Sequence, residues 1–198
     1  MSLVSVTREI IEDMPAEYRF LDRHGAVITK YAETLRSFGG EFVQGFYDTV
    51  FGNDNMQAVF KEGERPAREQ SLAFWWDRTV DGPFDDTYWT WQTYVGLMHI
   101  KRGVRNPMMI GMWGYVLSFL RERLGESGLP VDERLDIIES FQRLAFTCQA
   151  LISDSVMRFY LEALIKATGF NRKLLDRMVL SEVDDLISEN EQYRIKKS

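Results

Sequence analysis

The chain has 198 residues, with a single cysteine, Cys148, and two histidines, His24 and His99. One thiol excludes an intrachain disulfide, a CxxC redox motif and a cysteine-rich zinc site. Positive charge is also short: 24 Lys and Arg against 30 Asp and Glu give a net charge of −6. That balance argues against nucleic acid as the main partner and gives no attraction to an anionic membrane. The longest nearly apolar run, Met108–Leu120, has thirteen residues, too few to span a bilayer. The N-terminal stretch MSLVSVTREIIEDMP lacks the basic segment and apolar core of a secretory signal, so a cytoplasmic location is expected. No GxGxxG, Walker or HExxH motif occurs, and no run of alternating β-branched residues suggests a hairpin.

Against these absences stand 45% apolar residues, enough for a sizeable core, and an aromatic content of 13%. Rings in that number suit a large flat apolar ligand and serve core packing equally well. The periodicity is helical almost throughout. Val27, Tyr31, Leu35, Phe38, Phe42, Phe46 and Val50 hold one stripe, which passes through Gly39-Gly40 and predicts a kink or close approach there. Pro66 suits the first turn of a helix running to about Val80, and Asp85 or Asp86 caps the next. Further helices are expected from about Thr87 to Arg102 and Met108 to Arg123. A very long one runs from Asp132 to a stop at Gly169, and a charged helix follows Asn171. The fold class is all-α.

In the Thr87–Arg102 helix, Trp91, Tyr94, Val95, Met98 and His99 fall at i, i+3, i+4, i+7 and i+8, so the imidazole joins a buried face. An imidazole there either satisfies both ring nitrogens with local hydrogen bonds or gives one to a metal. Zinc is a poor candidate, since it wants about four protein ligands. Haem brings four nitrogens of its own and needs one axial side chain and an apolar slot.

The segment Val95-Gly96-Leu97-Met98-His99-Ile100-Lys101-Arg102-Gly103, with Pro107 and Gly111 after it, resembles the IGxxHxRIG hallmark of the sensor globins, that is, the globin-coupled sensors and the protoglobins. Three further stretches resemble that family in the same order: FYDTV at Phe46–Val50, DGPFDDTYW before the histidine helix, and LISDSVMRFYLEAL with Asp154 and Tyr160. Together they cover roughly residues 16 to 165. Departures also occur. Met108-Met109 stand where the family usually has Trp-Tyr, Trp113 replaces a usual Tyr, and the proline falls one place later.

The resemblance implies a globin fold, a three-over-three helical sandwich with an extra N-terminal helix and an additional C-terminal helix. Its haem-binding domain would span 1–170, with 171–198 as an extension or linker stub. It implies haem b with His99 as the iron ligand, and Tyr47 on the opposite face as a hydrogen-bond donor to a diatomic gas such as O2, NO or CO. Ser71 is expected as a second polar contact, and Phe46, Phe60, Leu72, Trp75, Tyr94, Val95 and Met98 as pocket walls. Lys101 and Arg102 are candidates for the haem propionates, or plain helix-end charges. Gas sensing through a homodimer of the last two globin helices is expected, on a surplus of apolar residues at Leu117, Leu120, Ile138, Leu151 and Phe159. A separate signalling partner would complete the pathway. Two rivals stand beside it: a single-domain haem redox enzyme acting on nitric oxide, nitrite or peroxide, and a haem-free interaction module in which His99 is core.

Overall fold

The computed structural model describes residues 2–194, and within them all regular structure is helical. In chain order the helices are α1 (Leu3–Asp13), α2 (Asp22–Lys30), α3 (Ala32–Ser37), α4 (Gly39–Phe51), α5 (Asp54–Gln57), α6 (Arg65–Asp81), α7 (Asp86–Arg102), α8 (Asn106–Glu126), α9 (Val131–Thr168) and α10 (Arg172–Glu189). A 3-10 turn follows at Glu191–Tyr193. The chain forms two compact units, residues 1–157 and 158–198, with α9 running through the boundary. No helix among the described residues is long and apolar enough to cross a membrane.

The single stripe predicted over residues 27–51 is divided among α2, α3 and α4, with breaks at Tyr31 and Phe38. The expected close approach at the glycine pair is made by Gly39. A Cβ there would lie 3.1 Å from Cδ1 of Trp76, so its absence lets α4 sit directly on α6. Phe42 stacks on Trp76 at 4.3 Å between ring centroids, and the indole N–H of Trp76 donates to the Leu35 carbonyl at 3.0 Å. Trp76, Phe42, Leu35 and Phe141 are all fully buried and form the centre of the first unit. Cys148 is buried in the same core, and burial pushes its thiol well above the usual range.

Helix α7 is fixed on three sides. Its N-cap Asp85 accepts from the Tyr88 N–H at 2.9 Å, satisfying one of the orphan donors of the first turn. The Tyr88 hydroxyl shares a buried 2.9 Å hydrogen bond with Thr79 of α6. Helix α1 docks through Thr7, whose hydroxyl lies 2.7 Å from that of Thr93 in a second buried pair. The segment after α1 is tied down where the Phe20 N–H donates to Thr147 of α9 at 2.9 Å.

The third side depends on Gly96. A Cβ on that residue would collide with Oγ of Ser155 and stand 3.2 Å from the Ile152 carbonyl, so α7 and α9 touch backbone to side chain at this point. Gly96→Ala is expected to destabilise the chain by about 1–3 kcal/mol, the usual cost of overpacking. Thermal unfolding should show a Tm lowered by several degrees. Ser155→Ala in the same chain should recover part of the loss, and an unchanged Tm for Gly96→Ala alone would deny the close contact.

Candidate functional site

Four turns of α7 carry His99 to the last turn, and the helix stops at Gly103, which takes a left-handed conformation at φ 72°. Glycine adopts that conformation without the Cβ clash other residues suffer. The Val104 N–H then closes the cap on the carbonyl of His99 at 3.0 Å, which fixes the backbone of the histidine itself.

The two histidines have different surroundings. His24 is buried, and its Nδ1 accepts from the Leu21 N–H at 2.9 Å. His99 is half-buried, with an Nδ1 shut off from solvent and, among the described residues, without a hydrogen-bond partner. An orphaned ring nitrogen costs about 1–3 kcal/mol. Desolvation alone lowers its pKa to about 4, even though the negative end of a helix favours a cation. At neutral pH the ring is therefore uncharged, the state in which imidazole binds metals.

Tyr47 projects from α4 and is 7% exposed. Its ring packs edge-on against Phe46 at 5.3 Å and Phe60 at 6.2 Å. Val50, Met112 and Leu72 complete the cluster around it. Among the described residues the hydroxyl has no hydrogen-bond partner, and burial pushes the phenol up to about 12. It thus keeps its proton, and its capacity to donate, at any working pH. The charge acting most strongly on it is the Arg68 guanidinium. That side chain stands one turn before Leu72 on α6, with a buried Nε that makes no hydrogen bond.

The sequence-predicted wall residues divide into two groups. Phe46, Phe60 and Leu72 gather at Tyr47. Trp75 and Val95 are half-buried and pack on the main core, where Trp75 meets Trp113 edge-to-face at 5.6 Å. Met98 is half-buried beside His99, whereas Tyr94 lies 46% exposed at the edge of the stripe. Ser71 is exposed, and its hydroxyl donates to the Ala67 carbonyl at 2.9 Å, one turn back along its own helix. Clefts of about 550 and 400 Å3 lie elsewhere, against α1 and along α4 and α6, and neither is lined by His99 or Tyr47.

One element of the site is not legible in the sequence. Arg102, three residues past His99, donates to Glu64 at 2.6 Å across 38 positions of chain. Glu64 precedes α6, accepts from the Lys61 N–H at 3.1 Å and also faces Arg68 at 3.5 Å. The clamp joins the start of α6 to the end of α7 on the histidine side. The Arg102 hydrogen bond, followed by that from Lys61, lowers the Glu64 carboxyl from 4.5 to about 2. Because the folded value lies below the free one, the clamp's contribution is complete above pH 4.5. It is lost as pH falls from there toward 2. Glu64→Gln is expected to flatten part of the acid limb of unfolding; acid titrations superimposable on those of the parent would show that the clamp adds nothing.

A planar prosthetic group with its own equatorial nitrogens asks for one neutral imidazole and an apolar, aromatic surround. His99 with its orphaned Nδ1, and the rings at Phe46, Tyr47 and Phe60, have that chemistry. No cluster of three His, Cys, Asp or Glu able to hold a metal ion occurs among the described residues. No curated protein matches the chain. A family profile described as Protoglobin matches residues 9–162, a span holding α2 through α8, His99, Tyr47 and every wall residue named above. With four-fifths of its length or nearly so inside that match, the chain belongs to the protoglobin family, and its helices are those of a globin fold that binds haem and a gas.

Proposed function

We propose that the protein is a gas sensor in which His99 holds the iron of haem b and Tyr47 reads the bound gas. Haem would supply a ferrous centre able to take up O2, NO or CO. The chain's own residues do the rest. His99 presents an uncharged nitrogen from a helix locked at Gly103, Gly96 and Asp85. Phe46, Phe60, Leu72, Trp75, Val95 and Met98 exclude water. Tyr47 keeps its proton and would offer it as a hydrogen bond to the gas, favouring the polar ligand O2 over CO. The observation that carries this reading is the buried His99 Nδ1, which has no hydrogen-bond partner among the described residues.

An absorption spectrum after haem addition tests it. A sharp Soret band that shifts on reduction and again under O2 and CO is expected. Failure to take up one haem per chain would return His99 to the core.

Signalling through a cytoplasmic homodimer is part of the same proposal, with residues 1–170 as the sensing domain. Of the apolar residues expected at the interface, Leu120 and Leu151 are taken up by the core. Helix α9 offers others: Leu135, Phe146 and Met157 recur every eleven residues, are about half or more exposed, and follow Val131 on the same side. Eleven residues make close to three turns, so these side chains form one stripe suited to a second copy. Phe146→Glu is expected to weaken the dimer at least tenfold in sedimentation, and an unaltered dimer would remove α9 from the interface.

A further inference from the structure

Glu64 is one carboxylate shared between two guanidiniums. Its Oε1 accepts from Arg102 at 2.6 Å and stands 3.5 Å from Nε of Arg68, while Oε2 accepts from the Lys61 N–H at 3.1 Å. Among the described residues neither arginine has a second acidic partner, and the buried Nε of Arg68 makes no hydrogen bond. A guanidinium presents its donors as a fork that matches both oxygens of a carboxylate at once. Here a single oxygen serves two forks, so the pair has the charge and the donors for one carboxylate more than the chain supplies.

The place of the pair indicates what supplies it. Arg102 stands one turn past His99 on α7, and Arg68 one turn before Leu72, which packs at Tyr47. Both guanidiniums, and Glu64 with them, act on the Tyr47 phenol. The two positive groups therefore adjoin the two residues assigned to the iron and the gas. The side chains of Glu64, Arg102 and Arg68 are only 15%, 27% and 30% exposed, so their pairing is poorly screened by water. Haem b carries two propionate carboxylates on one edge of its ring, and a carboxylate is the group the arginines lack.

We propose that Glu64 is a tethered competitor for haem: its carboxylate holds Arg68 and Arg102, and gives them up to a propionate as haem seats. The exchange depends on the reading of a haem at His99. Glu64 lies on the segment 58–64 between α5 and α6, so its side chain can turn away without breaking a helix. Its grip on Arg102 also ties the start of α6 to the end of α7, so the carboxylate that makes the clamp opposes haem entry. A purely structural strut has the opposite sign, because its loss would loosen the site and weaken haem binding.

The experiment uses the full chain with protoporphyrin IX, the iron-free ring of haem b, and with the same ring bearing both propionates as uncharged amides. Without iron the ring needs no bond to His99, and porphyrin fluorescence gives both affinities. The parent is expected to bind the acid form more tightly than the amide. Glu64→Gln should tighten the acid form roughly tenfold or more, the worth of a charge-assisted hydrogen bond, and leave the amide nearly unchanged. Arg102→Gln should weaken the acid form by a similar factor and again spare the amide. Circular dichroism verifies that each variant keeps its helix content. A Glu64→Gln chain that binds the acid form no tighter than the parent overturns the proposal, and equal weakening of both rings identifies a strut. A parent that binds neither ring overturns it as well. The expected affinities alongside a His99→Gly variant with an unchanged haem spectrum would leave the exchange standing and sink the iron assignment alone.

Discussion

His99→Gly is expected to lose haem affinity by on the order of a hundredfold or more. Removing the partner of a metal-bound histidine already costs about 10–100-fold, and this substitution deletes the ligand itself. The side chain is half-buried with an unbonded Nδ1, so its removal breaks no protein hydrogen bond and the helices are expected to persist. Imidazole added to the solution has the same donor atom and fits the space left by the ring, and should restore the haem spectrum. The measurement is haem transfer to an excess of a competing apoprotein, with and without imidazole. A variant that retains haem and its spectrum without imidazole would place the iron ligand elsewhere.

Tyr47→Phe is expected to release O2 roughly tenfold or more faster and to leave CO release nearly unchanged. A hydrogen bond to a charged acceptor contributes about 1.5–3 kcal/mol, and each 1.4 kcal/mol is a factor of ten. The outer atom of bound O2 carries more negative charge than that of CO. Among the described residues the hydroxyl has no hydrogen-bond partner, so its deletion strands no buried donor and should not lower stability. Flash photolysis and stopped-flow displacement give the two rates. Equal acceleration for both gases would mean the ring acts by bulk alone, with its proton uninvolved.

Helix existence was legible in the sequence because the apolar residues repeat at helical spacing along nearly the whole chain. Where Pro66, Asp85 and Gly103 punctuate that repeat, the ends fall close to expectation. The interruption at Tyr31 was hidden, since that residue is no breaker and the stripe continues across it, whereas the break at Phe38 lies beside the glycine pair where a kink or close approach was expected. His99 and Tyr47 were singled out because each stands inside a segment that resembles the family. Tyr94 shows the limit of periodicity, which places a residue on a helix side but not relative to the edge of its neighbour, and it lies exposed. Ser71, named from the resemblance alone, is exposed too. The Glu64–Arg102 clamp was out of reach altogether, because two charges 38 residues apart leave no local pattern.

Synthesis order gives the contacts of the N-terminal segment a further meaning. Helix α1 leaves the ribosome well before α7 and α9, so Thr7 meets its partner only when Thr93 has been made, and Phe20 must wait for Thr147. At about 5–20 residues per second, those intervals are roughly 4–17 s and 6–25 s. For that time the apolar side of α1, with Val6 and Ile10 destined for burial, has no surface to cover it. Helix α1 and the segment after it become secure only when the helix that carries His99 and the helix behind it have been made.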